Sequence, residues 1–160
     1  MQRLQEFLRH SFASHVCLVS ARSPSGGCRA VPVNTFVSIS LSPPVISISL
    51  YTNGRMKKMV ASAGQFNIFF LSFPQQASLL DLQAASAIDH TDIVDGISRN
   101  CLGSLHCTVL QTIVVNDHSI FLANVDSCFS PPQDNIIDEK ALGLKLPLLH
   151  FRQMYYPIHA

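Results

Sequence analysis

Tryptophan is absent from this sequence of 160 residues, and charge is scarce: 11 basic and 10 acidic side chains make up 13% of it, against about 25% in an average globular protein. A net charge of +1 gives no field to draw the chain to nucleic acid or to an anionic membrane. The glycine pattern GxGxxG is missing, which excludes a Rossmann-type dinucleotide site, and neither a P-loop nor an HExxH pair occurs. No apolar run approaches the roughly 20 residues that span a bilayer. The five cysteines, Cys17, Cys28, Cys101, Cys107 and Cys128, are odd in number and include no CxxC pair. They read as reduced thiols of an intracellular protein rather than a disulfide or zinc framework.

What is plentiful is apolar: 48% of the residues are hydrophobic. That suffices for a sizeable core in one domain, residues 1–160. It also leaves more apolar surface than so few charges can mask, and so points to a large apolar interface and a homo-oligomer. At the N-terminus, two arginines and a single acid also suit a transit peptide, but Leu4, Phe7 and Leu8 at helical spacing read as an opening helix, and we expect a cytoplasmic protein.

In order, the pattern predicts a strand over 15–21, a Gly26-Gly27 turn, a returning strand from Arg29 to Leu41, and another over 45–51. Asn53-Gly54 opens a helix with Met56, Met59 and Val60 on one face, Arg55, Lys57 and Lys58 on the other, and Gly64 as its stop. A buried strand over 66–71 and a helix from Pro74 that buries Leu79, Leu80 and Leu82 come next. Ser86 to Gly103 loses periodicity and reads as a flexible loop able to lie over a site. Two strands, 104–116 and 118–127, meet at Asn116-Asp117 as a hairpin. A second irregular loop, 130–145, precedes a closing strand over 146–152. Many strands with a few short helices fit a mainly β, Greek-key barrel with helices outside it.

The most informative stretch is Asn34-Thr35-Phe36-Val37-Ser38-Ile39-Ser40-Leu41-Ser42-Pro43-Pro44. Strict alternation assigns Val37, Ile39 and Leu41 to a core face and Asn34, Phe36, Ser38, Ser40 and Ser42 to a ligand face, and the prolines end the ladder. This run resembles the signature of the flavin reductase-like family of FMN-binding split β-barrels. Ser62-Ala63-Gly64-Gln65-Phe66-Asn67-Ile68, Asn116-Asp117-His118 and Pro147-Leu148-Leu149-His150-Phe151, with Tyr155-Tyr156 after it, resemble further elements of that family in the same order.

The resemblance implies an NAD(P)H-dependent flavin oxidoreductase, a homodimer, in which hydride passes from nicotinamide C4 to flavin N5 within one cleft. A monooxygenase partner that consumes the reduced flavin is a further implication. Because the cofactors carry the difficult chemistry, no catalytic triad is required. Carried over residue by residue, the family pattern puts Asn34, Thr35, Phe36 and Ser38 against the FMN ring and ribityl chain. Arg55 and Lys57 would hold its phosphate at a helix start, and His118 would be the catalytic histidine beside the nicotinamide or reduced flavin. For each there is a plainer reading: a solvated strand face, a core phenylalanine, a basic helix surface, a turn-capping Asp117-His118 pair. The remaining histidines, His10, His15, His90, His106, His150 and His159, show no ligand spacing and read as core or surface side chains. Tyr155 and Tyr156 either cover the site or pack on a partner subunit.

Departures from the pattern fall on the cofactor side. Ala30-Val31-Pro32 stands where the family has Gly-x-Thr, and Met56 where it has a threonine near the phosphate. A tailoring enzyme acting on another small molecule, with FMN tightly held or lost, a non-catalytic flavin-binding protein and a purely structural dimer are the alternative readings.

Overall fold

The computed structural model describes residues 2–84, 89–130, 146–151 and 154–157. Helix α1 (Gln2–Ser11) leads through the two-residue β1 (Ser14–His15) into β2 (Cys17–Arg22) and β3 (Cys28–Val33), followed by β4 (Val37–Leu41) and β5 (Pro44–Tyr51). Helix α2 (Arg55–Ala63), β6 (Gln65–Phe70), a 3-10 turn (Phe73–Gln75), α3 (Gln76–Ala84) and α4 (Thr91–Asn100) come next. The hairpin β7 (Gly103–Val115) and β8 (His118–Phe129) then precedes β9 (Leu148–Phe151) and β10 (Met154–Pro157). Seven strands form one antiparallel sheet in the order β3-β2-β6-β7-β8-β5-β4, and β1, β9 and β10 form a small second one.

Residues of β2 alternate between two cores, which is why Cys17, Leu18 and Val19 run apolar without a polar alternate and every residue but Arg22 is buried. Cys17, Val19 and Ala21 enter a cluster with Ile46, Ile48, Phe66, Ile68, Phe121 and the α2 residues Met56 and Val60. On the opposite face, Leu18 joins Phe69, Leu79 and Leu82, with Val94 and Ile97 of α4. Thus α2 covers the inner core and α3 and α4 the outer one. A period-2 pattern needs one wet face; with helices outside and a barrel interior inside, β2 has none.

Several expectations hold locally. Gly64 ends α2 with φ 68 and donates its N–H to the carbonyl of Val60, the left-handed cap that glycine adopts without strain. Asn116, at φ 52, and Asp117 make the two-residue hairpin turn. Pro44 is the first residue of β5, where its missing N–H costs no ladder bond.

Four expectations fail. The strand expected from Arg29 to Leu41 is broken at 34–36 into β3 and β4, which lie at opposite ends of the seven-stranded sheet. Residues 91–100, read as loop, are helix α4, whose Val94 and Ile97 are buried. Their spacing of three was hidden by the aspartates and serines around them. Leu80 points outward on α3 while Leu79 and Leu82 are buried. The supposed core face of β4 is the most exposed apolar feature of the sheet, with Val37 at 51%, Ile39 at 53% and Leu41 at 86%. β4 is an edge strand with a bulge between Ser38 and Ser40, so alternation there marks apolar residues that this chain does not cover. The second expected loop falls largely on residues 131–145, outside the described residues.

All five cysteines are free. Burial pushes the Cys17 and Cys107 thiols up to about 12 and raises those of Cys28 and Cys101, whereas Cys128 is exposed. Since the thiolate is the reactive form, native-state alkylation followed by peptide mapping is expected to label Cys128 alone. Labelling of Cys17 or Cys107 at a comparable rate contradicts this core.

Candidate functional site

A cleft of about 500 Å³ opens between β3, the chain at 34–35, the end of β5, the first turn of α2 and the turn into β8. Its volume is within the range of small-molecule sites. Sheet register assembles much of it. Tyr51, last residue of β5, pairs with His118, first residue of β8, and their rings meet edge to face at 5.9 Å. Thr52 continues the link: its N–H donates to the Asp117 carbonyl at 2.8 Å, and its hydroxyl lies 3.0 Å from that of Ser119.

The α2 end of the cleft is built for negative charge. Gly54 caps the helix with no side-chain hydrogen bond, so the first-turn N–H groups remain available. A Cβ at Gly54 would stand 2.9 Å from the Tyr51 carbonyl oxygen, so the tight approach of β5 to α2 requires glycine. Arg55 and Lys57 follow, and Arg29 projects from β3 on the other wall. Among the described residues none of these three has an ion-pair partner, and no carboxylate lines the cleft. Unpaired cations around an uncapped helix start form a seat for a phosphate.

Of the sequence candidates, Asn34, Thr35, Arg55, Lys57 and His118 come together on this cleft; Phe36 and Ser38 are not on its lining. Phe36 sits edge to face on Phe70 at 5.1 Å and His15 at 5.9 Å, packed against the inner core. Ser38 lies exposed on β4. Thr35 is more constrained than its face suggested. Its hydroxyl donates to the Ser49 carbonyl at 2.9 Å and accepts from the Ser49 N–H at 3.0 Å. A side chain thus replaces a backbone rung and extends the β4–β5 ladder. Asn34 donates from Nδ2 to the Ser14 hydroxyl at 3.2 Å, which keeps its carbonyl oxygen for the cleft.

His118 lies 3.0 Å from Asp117 through Nδ1. Hydrogen bonding from that ring holds the Asp117 carboxyl below the usual carboxylate range, and an ionised carboxylate only accepts. Nδ1–H therefore donates to Asp117, and Nε2 is left to interact with a ligand. Pro32 and Met56 both line the cleft, and the Met56 side chain is buried in the inner core, so neither position supplies a hydroxyl.

Sequence reasoning missed Arg29, Ser49, Tyr51 and His90. His90 was read as an ordinary core or surface histidine; it is buried, yet among the described residues its Nε2 has no hydrogen-bond partner. A second chamber of about 310 Å³ lies beyond Asn34 and Thr35, with Leu8, Phe12, Ser14 and His150 around it. A cationic cleft and a separate, largely apolar chamber thus share the 34–35 segment as a wall.

Comparison with known proteins adds a lineage to this geometry. The sequence model of the flavin reductase like domain matches residues 8–159. The NADH-dependent flavin reductase StyB of Pseudomonas fluorescens is 29% identical over 152 residues, covering 91% of this chain and 83% of that protein. The reductase component of 4-hydroxyphenylacetate 3-monooxygenase from Thermus thermophilus is 24% identical over 145 residues, covering 90% and 88%. Among solved structures, the styrene monooxygenase flavin reductase of Pseudomonas putida S12 superposes with a TM-score of 0.75 at 24% identity, covering 98% of each chain.

Thr35→Val should destabilise the protein by about 1–3 kcal/mol, the usual cost of leaving buried backbone groups unpaired. Urea unfolding measures it. An unchanged midpoint would mean that the Thr35 hydroxyl does not hold the β4–β5 junction.

Proposed function

The chain belongs to the flavin reductase-like domain family, and from that premise we propose that its cleft carries out NAD(P)H-dependent reduction of flavin. The observation that carries the reading is a single cleft with unpaired Arg29, Arg55 and Lys57 and no carboxylate in its wall, beside an apolar chamber suited to a planar ring. A flavin held there would supply, at N5, the acceptor for a hydride from C4 of a reduced nicotinamide. The protein binds, orients and screens. Arg55, Lys57 and the first turn of α2 hold the flavin phosphate, and Asn34 offers a carbonyl oxygen to the ring edge or ribityl chain. Asp117 fixes the His118 ring so that Nε2 faces the reacting pair and donates to it when the imidazole is protonated.

FMN is the flavin we assign, since one terminal phosphate matches the uncapped start of α2 with its two cations. A homodimer is supported by Val37, Ile39 and Leu41 on the edge strand and by Leu110 and Val114 on the hairpin, all exposed. Patches of this kind are rare on soluble monomers, and an isologous contact buries them. That StyB is named a flavin reductase and the Thermus relative a monooxygenase component supports an oxygenase partner for the reduced flavin. Five free cysteines, four of them buried, favour the cytoplasm.

The phosphate assignment is tested with two ligands that differ only in that group. Arg55→Ala should weaken FMN by about tenfold, the scale of one charge-assisted hydrogen bond, and leave riboflavin nearly unaffected in fluorescence titrations. Equal losses for both flavins would place Arg55 outside the site. Sedimentation tests the dimer: the 17.6 kDa chain should run at twice its mass at micromolar concentration, and a monomer that still binds flavin at full strength would overturn the interface.

A further inference from the structure

Helix α4 begins at the wall of the cleft, and its N-cap residue is His90. The segment before it is tied to the edge of β3. The Cys28 N–H donates to the Asp89 carboxylate at 3.1 Å, the His90 N–H to the Cys28 carbonyl at 2.9 Å, and the ring Nδ1 lies 3.2 Å from both N and O of Ala30. Either tautomer therefore spends Nδ1 on the strand. Asp89 also accepts from the hydroxyl and the N–H of Thr91. Those bonds, the Thr91 hydroxyl foremost, hold its carboxyl below the ordinary range. The ring is thus clamped between β3 and α4, with only 7% of the residue exposed.

The clamp leaves Nε2 buried and, among the described residues, without a hydrogen-bond partner. An orphaned polar atom in a protein interior costs about 1–3 kcal/mol, and native structures seldom retain one without a use. This atom belongs to a residue that lines the cleft and is held to Cys28 and Ala30 of β3, and Arg29 lies between those two on the cleft wall without an ion-pair partner among the described residues. The α2 seat is formed by a different element. The cleft therefore has cations in two places, Arg55 and Lys57 at the start of α2, and Arg29 on β3 near the start of α4, where the Asp89 carboxylate already takes the Thr91 N–H.

We propose that His90 Nε2, together with Arg29, forms a second phosphate-binding seat in the cleft, separate from the one at Arg55 and Lys57. This rests on the nucleotide reading of the cleft given above. A phosphate oxygen selects the tautomer with the proton on Nε2, which then accepts the Ala30 N–H at Nδ1, so both ring nitrogens are satisfied at once. With two seats, the cleft holds a ligand set with more than one phosphate group. The second comes either from the diphosphate of a nicotinamide dinucleotide or from the second phosphate of a flavin dinucleotide.

His90→Asn tests this, because asparagine retains a group for Ala30 and deletes Nε2, while His90→Gln retains a donor at the reach of Nε2 and serves as the rescue. Inorganic pyrophosphate should raise the melting temperature of the wild type and of His90→Gln clearly more than that of His90→Asn, in which only the α2 seat at Arg55 and Lys57 remains; equal shifts in all three overturn the seat. His90→Asn should also raise KM for the reduced dinucleotide by about tenfold and leave KM for reduced nicotinamide mononucleotide unchanged; a loss confined to FAD against FMN would assign the seat to the flavin instead. If His90→Asn does not fold, Arg29→Ala replaces it in every arm. Absence of a pyrophosphate shift in the wild type, or equal effects on ligands with and without the second phosphate, overturns the seat. A pyrophosphate shift that depends on His90 in a protein that binds no flavin overturns the flavin reading and leaves the seat intact.

Discussion

One constraint governs this molecule: the sheet must curl far enough for β3 to meet β5. Those strands are separated in the ladder by β2, β6, β7 and β8, yet they touch across the molecule. What drives the closure is the inner cluster, in which β2, β5, β6 and β8 all turn their alternate residues to one side with Met56 and Val60 of α2. Removing that surface from water at about 25 cal/mol per Å² of apolar area is the dominant favourable contribution. The cleft is a consequence of this closure, because its walls are the ends of β3 and β5 and the helix that plugs the gap between them. Where the curled sheet stops, at β4, apolar side chains are left uncovered.

That dependence explains why function can reside in so small a chain without a Rossmann fold. The scaffold provides rigid strand ends, and the chemistry is placed on the residues just past them: Asn34 after β3, Gly54 and Arg55 after β5, His118 at the start of β8. Loss of threonines at positions 32 and 56 removes two hydroxyls from this wall, but the cations and the uncapped helix start are retained. Under the proposed phosphate assignment, charge rather than hydroxyl hydrogen bonding dominates binding there, and such binding weakens with salt.

The sequence disclosed the features that local physics decides. Gly64 after an amphipathic turn, Asn116-Asp117 between alternating strands, and Pro43-Pro44 at a ladder end each reflect a backbone requirement that few residues meet, and each proved right. The family pattern located Asn34, Arg55, Lys57 and His118, which the fold then gathered on one cleft. What stayed hidden depends on partners distant in the chain. Alternation in β4 says nothing about which face is covered when the strand is an edge. Thr35 became a ladder element only because Ser49 lies opposite, and His90 became half-satisfied only because β3 claims one of its nitrogens 60 residues away. α4 escaped because its apolar positions are few and its buried face narrow.

The central claim is that one cleft accepts both flavin and reduced nicotinamide. The direct measurement is anaerobic rapid mixing of protein, free FMN and NADH, following loss of the visible flavin band. The reaction should be catalytic in protein and saturate in each substrate, and His118→Asn should slow it at saturation more than it weakens binding of either. Bleaching no faster than in the protein-free mixture, with FMN demonstrably bound, would contradict the account.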